Sequence, residues 1–164
     1  MNTLYEELVE RIRGEVPDLD HLLRRASQAW TGFHTAGNQQ EVYLDSVALN
    51  LHGFYSGLER LFELIAKHID QRPPSGEVWH RDLLQQMAQE ITDVRPGVIS
   101  RESMVSLDGL RRFRHLVRNI YTFNLVPEKI KPLMLSLPDL SSRVRAELLA
   151  FADFLSDLAR ARQK

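Results

Sequence analysis

The stretch VALNLHGFYSGLERLFELIAKHI, residues 47–69, decides the fold. Val47, Leu51, Phe54, Leu58, Leu61, Ile65 and Ile69 recur every three or four residues without a miss, which is the repeat of one helix face. Tyr43, Tyr55 and Phe62 widen that stripe on both sides. The pattern predicts a helix over about 40–69 that is central and largely buried. Asn50, His52, Glu59 and Arg60 interrupt it. Glu59 and Arg60 read as solvated or paired surface charges, His52 as a buried core histidine, and Tyr55 as core. Glu59 has a second reading: it would orient an arginine of a neighbouring helix if the two helices pack together.

Upstream, His34–Asn38 reads as a loop, with Gly37 and Asn38 as breakers. Before it, Leu4, Leu8 and Ile12 mark one helical face. Pro17-Asp18 is expected to open a second helix, with Leu22, Leu23, Ala26, Ala29, Trp30 and Phe33 on its apolar side. Downstream, Gln71-Arg-Pro-Pro-Ser-Gly76 stops the central helix. A short helix is expected over about 78–91, with Trp79, Leu83, Leu84 and Met87 inward. Residues 93–106 contain Pro96-Gly97 and read as an ordered loop, Ser106 being the expected N-cap of the next helix and Asp108 lying in its first turn. Pro127, Pro132 and Pro138 are expected to divide the following region into a short helix and turns. A last helix over about 142–162 aligns Val144, Leu148, Phe151, Leu155 and Leu158. No segment alternates with period two. The class is all-α, a bundle of four main helices with short additional ones, in a single domain over 1–164.

The composition is that of a soluble globular protein, 43% hydrophobic and 26% charged. The net charge of −1 means that any anion site must be local. The absence of cysteine excludes disulfides and thiolate metal sites and fits a cytoplasmic setting. The N-terminus has no apolar region of a signal peptide, and no run approaches 18 apolar residues, so no membrane association is expected. The histidines do not fall in His-x-x-x-His or Glu-x-x-His pairs, and there is no Gly-rich phosphate loop and no Gly-x-Ser-x-Gly. Neither metal nor cofactor is expected.

One local anion site does stand out. In Leu110-Arg-Arg-Phe-Arg-His-Leu-Val-Arg-Asn-Ile-Tyr-Thr-Phe123, the residues Leu110, Phe113, Val117 and Ile120 form an apolar helix face. Arg111, Arg114, Arg118 and Tyr121 line up on another side, flanked by Arg112, His115, Asn119 and Thr122. Arginine binds phosphate through a planar fork and keeps its charge. Such a row suits a phosphodiester and the extra charge of its transition state, with His115 the natural acid or base. The same row also reads as a solvated face, or as partners for acidic residues of neighbouring helices.

Arg114-His-Leu-Val-Arg-Asn-Ile-Tyr121 resembles the Arg-x4-His-x-Tyr motif of HEPN ribonucleases, in particular HepT-like toxins of the HepT–MntA toxin–antitoxin systems. Arg114 matches the motif arginine and Tyr121 the motif tyrosine. The resemblance extends to Asn50–Arg60, to Trp79-His80-Arg81, to Arg95-Pro96 and to the Leu-rich C-terminal helix, covering roughly residues 5–160. It implies a metal-independent endoribonuclease acting on RNA, with tRNA as the target. In that chemistry a ribose 2′-hydroxyl attacks the adjacent phosphate while the motif arginine stabilises the developing charge. It also implies a composite site across a two-fold homodimer, and an MntA-like nucleotidyltransferase antitoxin that adenylylates Tyr121. On this reading Arg114, Asn119 and Tyr121 occupy the catalytic positions, and Arg111, His115 and Arg118 bind substrate.

The sequence departs from the motif at one position: Asn119 stands where the motif has histidine. An amide cannot exchange a proton near pH 7. Three accounts are open. The chain is a catalytically degenerate member, it carries a deliberate inactivating change, or His115, about 6 Å away along the axis, takes the role. A non-catalytic HEPN module that binds RNA or a nucleotidyltransferase is the alternative function.

Overall fold

The stripe that starts at Val47 becomes the buried spine of the molecule: Val47, Leu58, Leu61, Phe62, Ile65 and Ala66 are wholly inaccessible to solvent. The structure, a computed structural model, describes residues 2–35, 37–119 and 124–163, the side chains of Asn2 and Asn119 lying outside that description. Its helices are α1 (Asn2–Thr35), α2 (Gln40–His68), α3 (Trp79–Met87), α4 (Arg101–Asn119) and α5 (Pro127–Ala161), with a 3-10 turn at Gly37–Gln39 before α2. This is the all-α bundle expected: four long helices and one short one, with no strand among the described residues.

Every long neighbour runs antiparallel to the one it packs on. Leu19 meets Gly57 and Leu22 meets Gly53, which fixes α1 against α2. At Gly32 the approach is so close that a Cβ would collide with the Tyr43 ring, so the α1–α2 hairpin needs glycine there. Arg13 pairs with Asp153, Ser141 with Asp20, and Gln163 with Glu6, which fixes α1 against α5. Ser103 meets Glu147 and Gly109 meets Leu133, which fixes α4 against α5. Helix α3 lies between α2 and α4.

Three boundaries differ from the expectation. First, α1 runs through Pro17 without a break, and α5 runs through Pro132 and Pro138 as one 35-residue helix. All three prolines sit on exposed faces. The carbonyls released by Pro17 and Pro132 belong to Arg13 and Glu128, exposed residues, where water can serve them. The apolar stripe continues across them: Ile130, Met134, Leu137, Leu140 and Val144 are all buried. Pro127 is a start rather than a break, occupying the first turn of α5, where a missing N–H costs nothing. Second, α4 begins at Arg101 and not at Ser106. Its N-cap is Ser100, whose Oγ accepts the Ser103 N–H at 3.1 Å. Ser106 lies inside the helix and accepts a hydrogen bond from Arg143. Asp108 lies beyond the first turn and holds Arg111 and Arg112. Third, α3 stops at Met87, short of the expected end, because the Met87 carbonyl accepts from Val98 and Ile99 as the chain turns back.

The continuity of α1 makes a testable point. Pro17→Ala restores an N–H to the helix ladder on an exposed face. It is expected to stabilise the fold by about 1 kcal/mol or more, measured by urea denaturation. No gain in the midpoint would show that the helix loses nothing by having proline at position 17.

Candidate functional site

The site grows from a second stripe on α2. His52, Ser56, Glu59 and Glu63 are spaced by four, three and four residues, so they share one helix face. That face meets α4 running the other way. Arg114 donates from Nε to Ser56 Oγ at 2.8 Å, and its Nη1 lies 3.4 Å from Glu59 Oε1. The Arg114 side chain is only 17% exposed and that of Glu59 only 6%. Glu59 is therefore not the surface charge of the simple reading but a buried carboxylate between helices. Its orientation of the motif arginine, the second reading, is borne out in the geometry.

Glu59 has another partner. Its Oε2 lies 2.8 Å from Nδ1 of His80, at the start of α3. The His80 ring stacks on Trp79, with centroids 3.6 Å apart. One buried carboxylate thus fixes a guanidinium from α4 and an imidazole from α3. Partial burial, and then the charge of Glu59, push the Glu63 carboxyl above its usual range. Tyr55, deep behind Glu59, has its hydroxyl pushed well up by burial and then by the same charge, so it stays neutral.

His52 is half-buried and faces the arginines, where the sequence suggested a buried core histidine. Burial lowers its pKa first, and the positive charges of Arg114 and Arg118 lower it further. It is neutral at pH 7. For folding, protonation is disfavoured in the native state, so the cost it imposes grows below the unfolded value near 6.5 and vanishes above it. An anion seated on Arg114 and Arg118 offsets two of the three causes. Adding phosphate is therefore expected to raise the His52 pKa, followed by NMR titration of its ring protons. An unchanged titration would mean that the anion binds elsewhere.

The remaining arginines are divided. Arg111 bonds Asp108 at 2.8 Å and is partly buried. Arg112 is largely exposed and shares Asp108. Arg118 is exposed at the end of α4, as is His115. The apolar side of the same helix is buried through Leu110 and Phe113, with Val117 packed against the core. The structure therefore brings Arg111, Arg114 and Arg118 to one side, as expected. The Asn119 side chain and Tyr121 lie outside the described residues. Three residues were not singled out from the sequence as site residues: His52, Ser56 and His80. The spacing from His52 to Glu63 was a usable signal for the first two. Nothing local connects residue 80 to residue 59.

Among the described residues, no three His, Asp or Glu side chains come together as a metal-holding group, and no helix is long and apolar enough to cross a membrane.

The sequence model of the HepT-like protein family matches residues 46–155, which takes in nearly all of α2, then α3, α4 and most of α5. The chain belongs to this HepT-like family of HEPN proteins. No curated protein and no solved structure matches it.

Proposed function

We propose that this chain is the toxin component of a toxin–antitoxin pair, a metal-independent endoribonuclease whose substrate is RNA, with tRNA the first candidate. The observation that carries this reading is the held guanidinium: Arg114, fixed by Ser56 and Glu59 at the junction of α2 and α4, with Arg111 and Arg118 one turn to either side. A preorganised cation stabilises charge that develops on a phosphoryl oxygen without reorganising during the reaction. The 2′-hydroxyl of the substrate supplies the nucleophile, so the protein needs only to bind, orient and move a proton. Family membership supports the pairing with an antitoxin. An MntA-like nucleotidyltransferase that adenylylates Tyr121 would place a phosphate beside the arginine row and compete with RNA for it. A two-fold homodimer joining two such rows would surround one RNA backbone with both.

A second reading is favoured by Asn119, which cannot move a proton. On that reading the chain is a HEPN module that binds RNA or its nucleotidyltransferase without cutting.

The test is cleavage of bulk tRNA in EDTA by this chain and by Asn119→His. Cutting by either supports the ribonuclease reading. RNA binding without cutting by both variants supports the second. No cutting and no RNA binding by either variant would overturn the ribonuclease reading and leave a module that binds its nucleotidyltransferase.

A further inference from the structure

The ribonuclease reading has two candidates for the proton transfer that Asn119 cannot perform, exposed His115 on α4 and half-buried His80 on α3. We infer that His80, held by Glu59 beside Arg114, is the general base of this site. The inference rests on the ribonuclease reading and names a catalytic residue for it.

Ionised Glu59 has no proton to give, so the 2.8 Å contact requires His80 Nδ1–H to donate to Oε2. With Nδ1 engaged by Glu59, Nε2 is the ring nitrogen left to accept a proton whenever the ring is neutral. Trp79, packed against the core, covers one face of the ring and sets its plane. The His80 side chain nevertheless remains 28% exposed, so an edge reaches solvent. The other oxygen of the same carboxylate holds Arg114 at 3.4 Å. A single buried residue thus fixes the distance between a phosphate-binding cation and a proton acceptor. That is the relation a phosphodiester and its neighbouring 2′-hydroxyl demand. A base held by a carboxylate, with a charge-stabilising group at its side, is the usual layout of such sites. The charged groups that face His80 are Glu59 and Glu63 from α2 and Arg114 from α4.

The 2′-oxygen forms its bond to phosphorus as its proton passes to His80 Nε2. The bond from phosphorus to the 5′-oxygen breaks, and that oxygen leaves with a proton from solvent. His80 then returns its proton to solvent. The products are a 2′,3′-cyclic phosphate end and a 5′-hydroxyl end, and no oxidant or cofactor is consumed.

The structure suggests the control as well. Glutamine at position 80 keeps an N–H for Glu59 but cannot accept a proton from substrate. His80→Gln is expected to lose about 100-fold or more in kcat on tRNA. It should bind an RNA oligonucleotide carrying 2′-deoxy sugars as tightly as the parent, and melt at the parent temperature. In the parent, the ascending limb of the pH–rate profile is expected to match the His80 titration seen by NMR. This comparison decides the matter even if His80→Gln proves unstable.

Cleavage by His80→Gln at the parent rate, or a kinetic limb that does not match the His80 titration, overturns the inference. A parent that is silent while Asn119→His cuts also overturns it, and leaves the ribonuclease reading standing. Silence of both the parent and Asn119→His brings down both.

Discussion

Arg114→Ala is expected to cut the rate of RNA cleavage by about 10²–10³-fold or more, the size of effect seen when one preorganised charge-stabilising group is removed. The measurement is kcat on tRNA in EDTA, made in whichever of the parent and Asn119→His cuts. Two features of the site set the expectation. Arg114 is held by two partners on α2, Ser56 and Glu59, so its position is set before substrate arrives. It is also mostly buried, where its charge acts through a less polar medium than water. Arg111 and Arg118 are not expected to replace it. Arg111 is committed to Asp108, and Arg118 is exposed, where salt and water screen it. Arg114→Lys should recover little, because an ammonium cannot bond Ser56 and Glu59 and still present a flat fork to phosphate. The structural cost of Arg114→Ala is expected to be only about 1–3 kcal/mol, for a buried Glu59 that keeps His80 as a partner. A folded Arg114→Ala protein that cuts at the parent rate would sink the assignment.

Helix α2 was legible because burial on most sides imposes an unbroken three-four repeat from Val47 to Ile69. Arg114 is legible from the arginine row on its helix, and its link to Glu59 from the packing of that helix on α2. The errors at Pro17, Pro132 and Pro138 came from weighing a local rule above a longer pattern. Each proline lies on a solvent-facing position, water can replace the hydrogen bonds lost at Pro17 and Pro132, and the apolar stripe beneath never breaks. The N-cap was misplaced because Pro96-Gly97 drew the loop too far, although Ser100 stood ready at the true boundary. The contact of His80 with Glu59 was not legible at all. It joins residues 21 apart across two helices and a proline turn, and no periodicity encodes that distance.

That contact depends on how α3 is fastened, which leads to the largest expected effect on stability. Asp70, just past the end of α2, and Arg95, in the loop after α3, form an ion pair whose side chains are both 0% exposed. All five guanidinium N–H groups find acceptors. Two reach the Asp70 carboxylate, and the others reach the backbone carbonyls of Gln86, Gln89 and Pro96. Gln86 Nε2 adds a bond to Asp70 at 2.7 Å. The pair thus ties the end of α2 to the last turn of α3 and to the loop that leads into α4. Removing one partner leaves a charge buried without its counter-charge. Asp70→Ala and Arg95→Ala are each expected to lose about 3–5 kcal/mol, measured by urea unfolding. For a chain of this size that is a fall of about 10 °C in Tm. The double replacement Asp70→Leu with Arg95→Met removes both charges and keeps most of the volume, so it should recover much of the loss. The recovery will be incomplete, because the carbonyls of Gln86, Gln89 and Pro96 lose the Arg95 donor, though Gln86 keeps the Gln89 N–H. Since the clamp holds the last turn of α3, the helix that carries His80, the recovered double variant should still cut RNA more slowly than the parent, with His80 less firmly seated on Glu59. Single replacements that cost under 1 kcal/mol would show that water enters this site readily and that α3 is held by Leu83, Leu84 and Met87 alone.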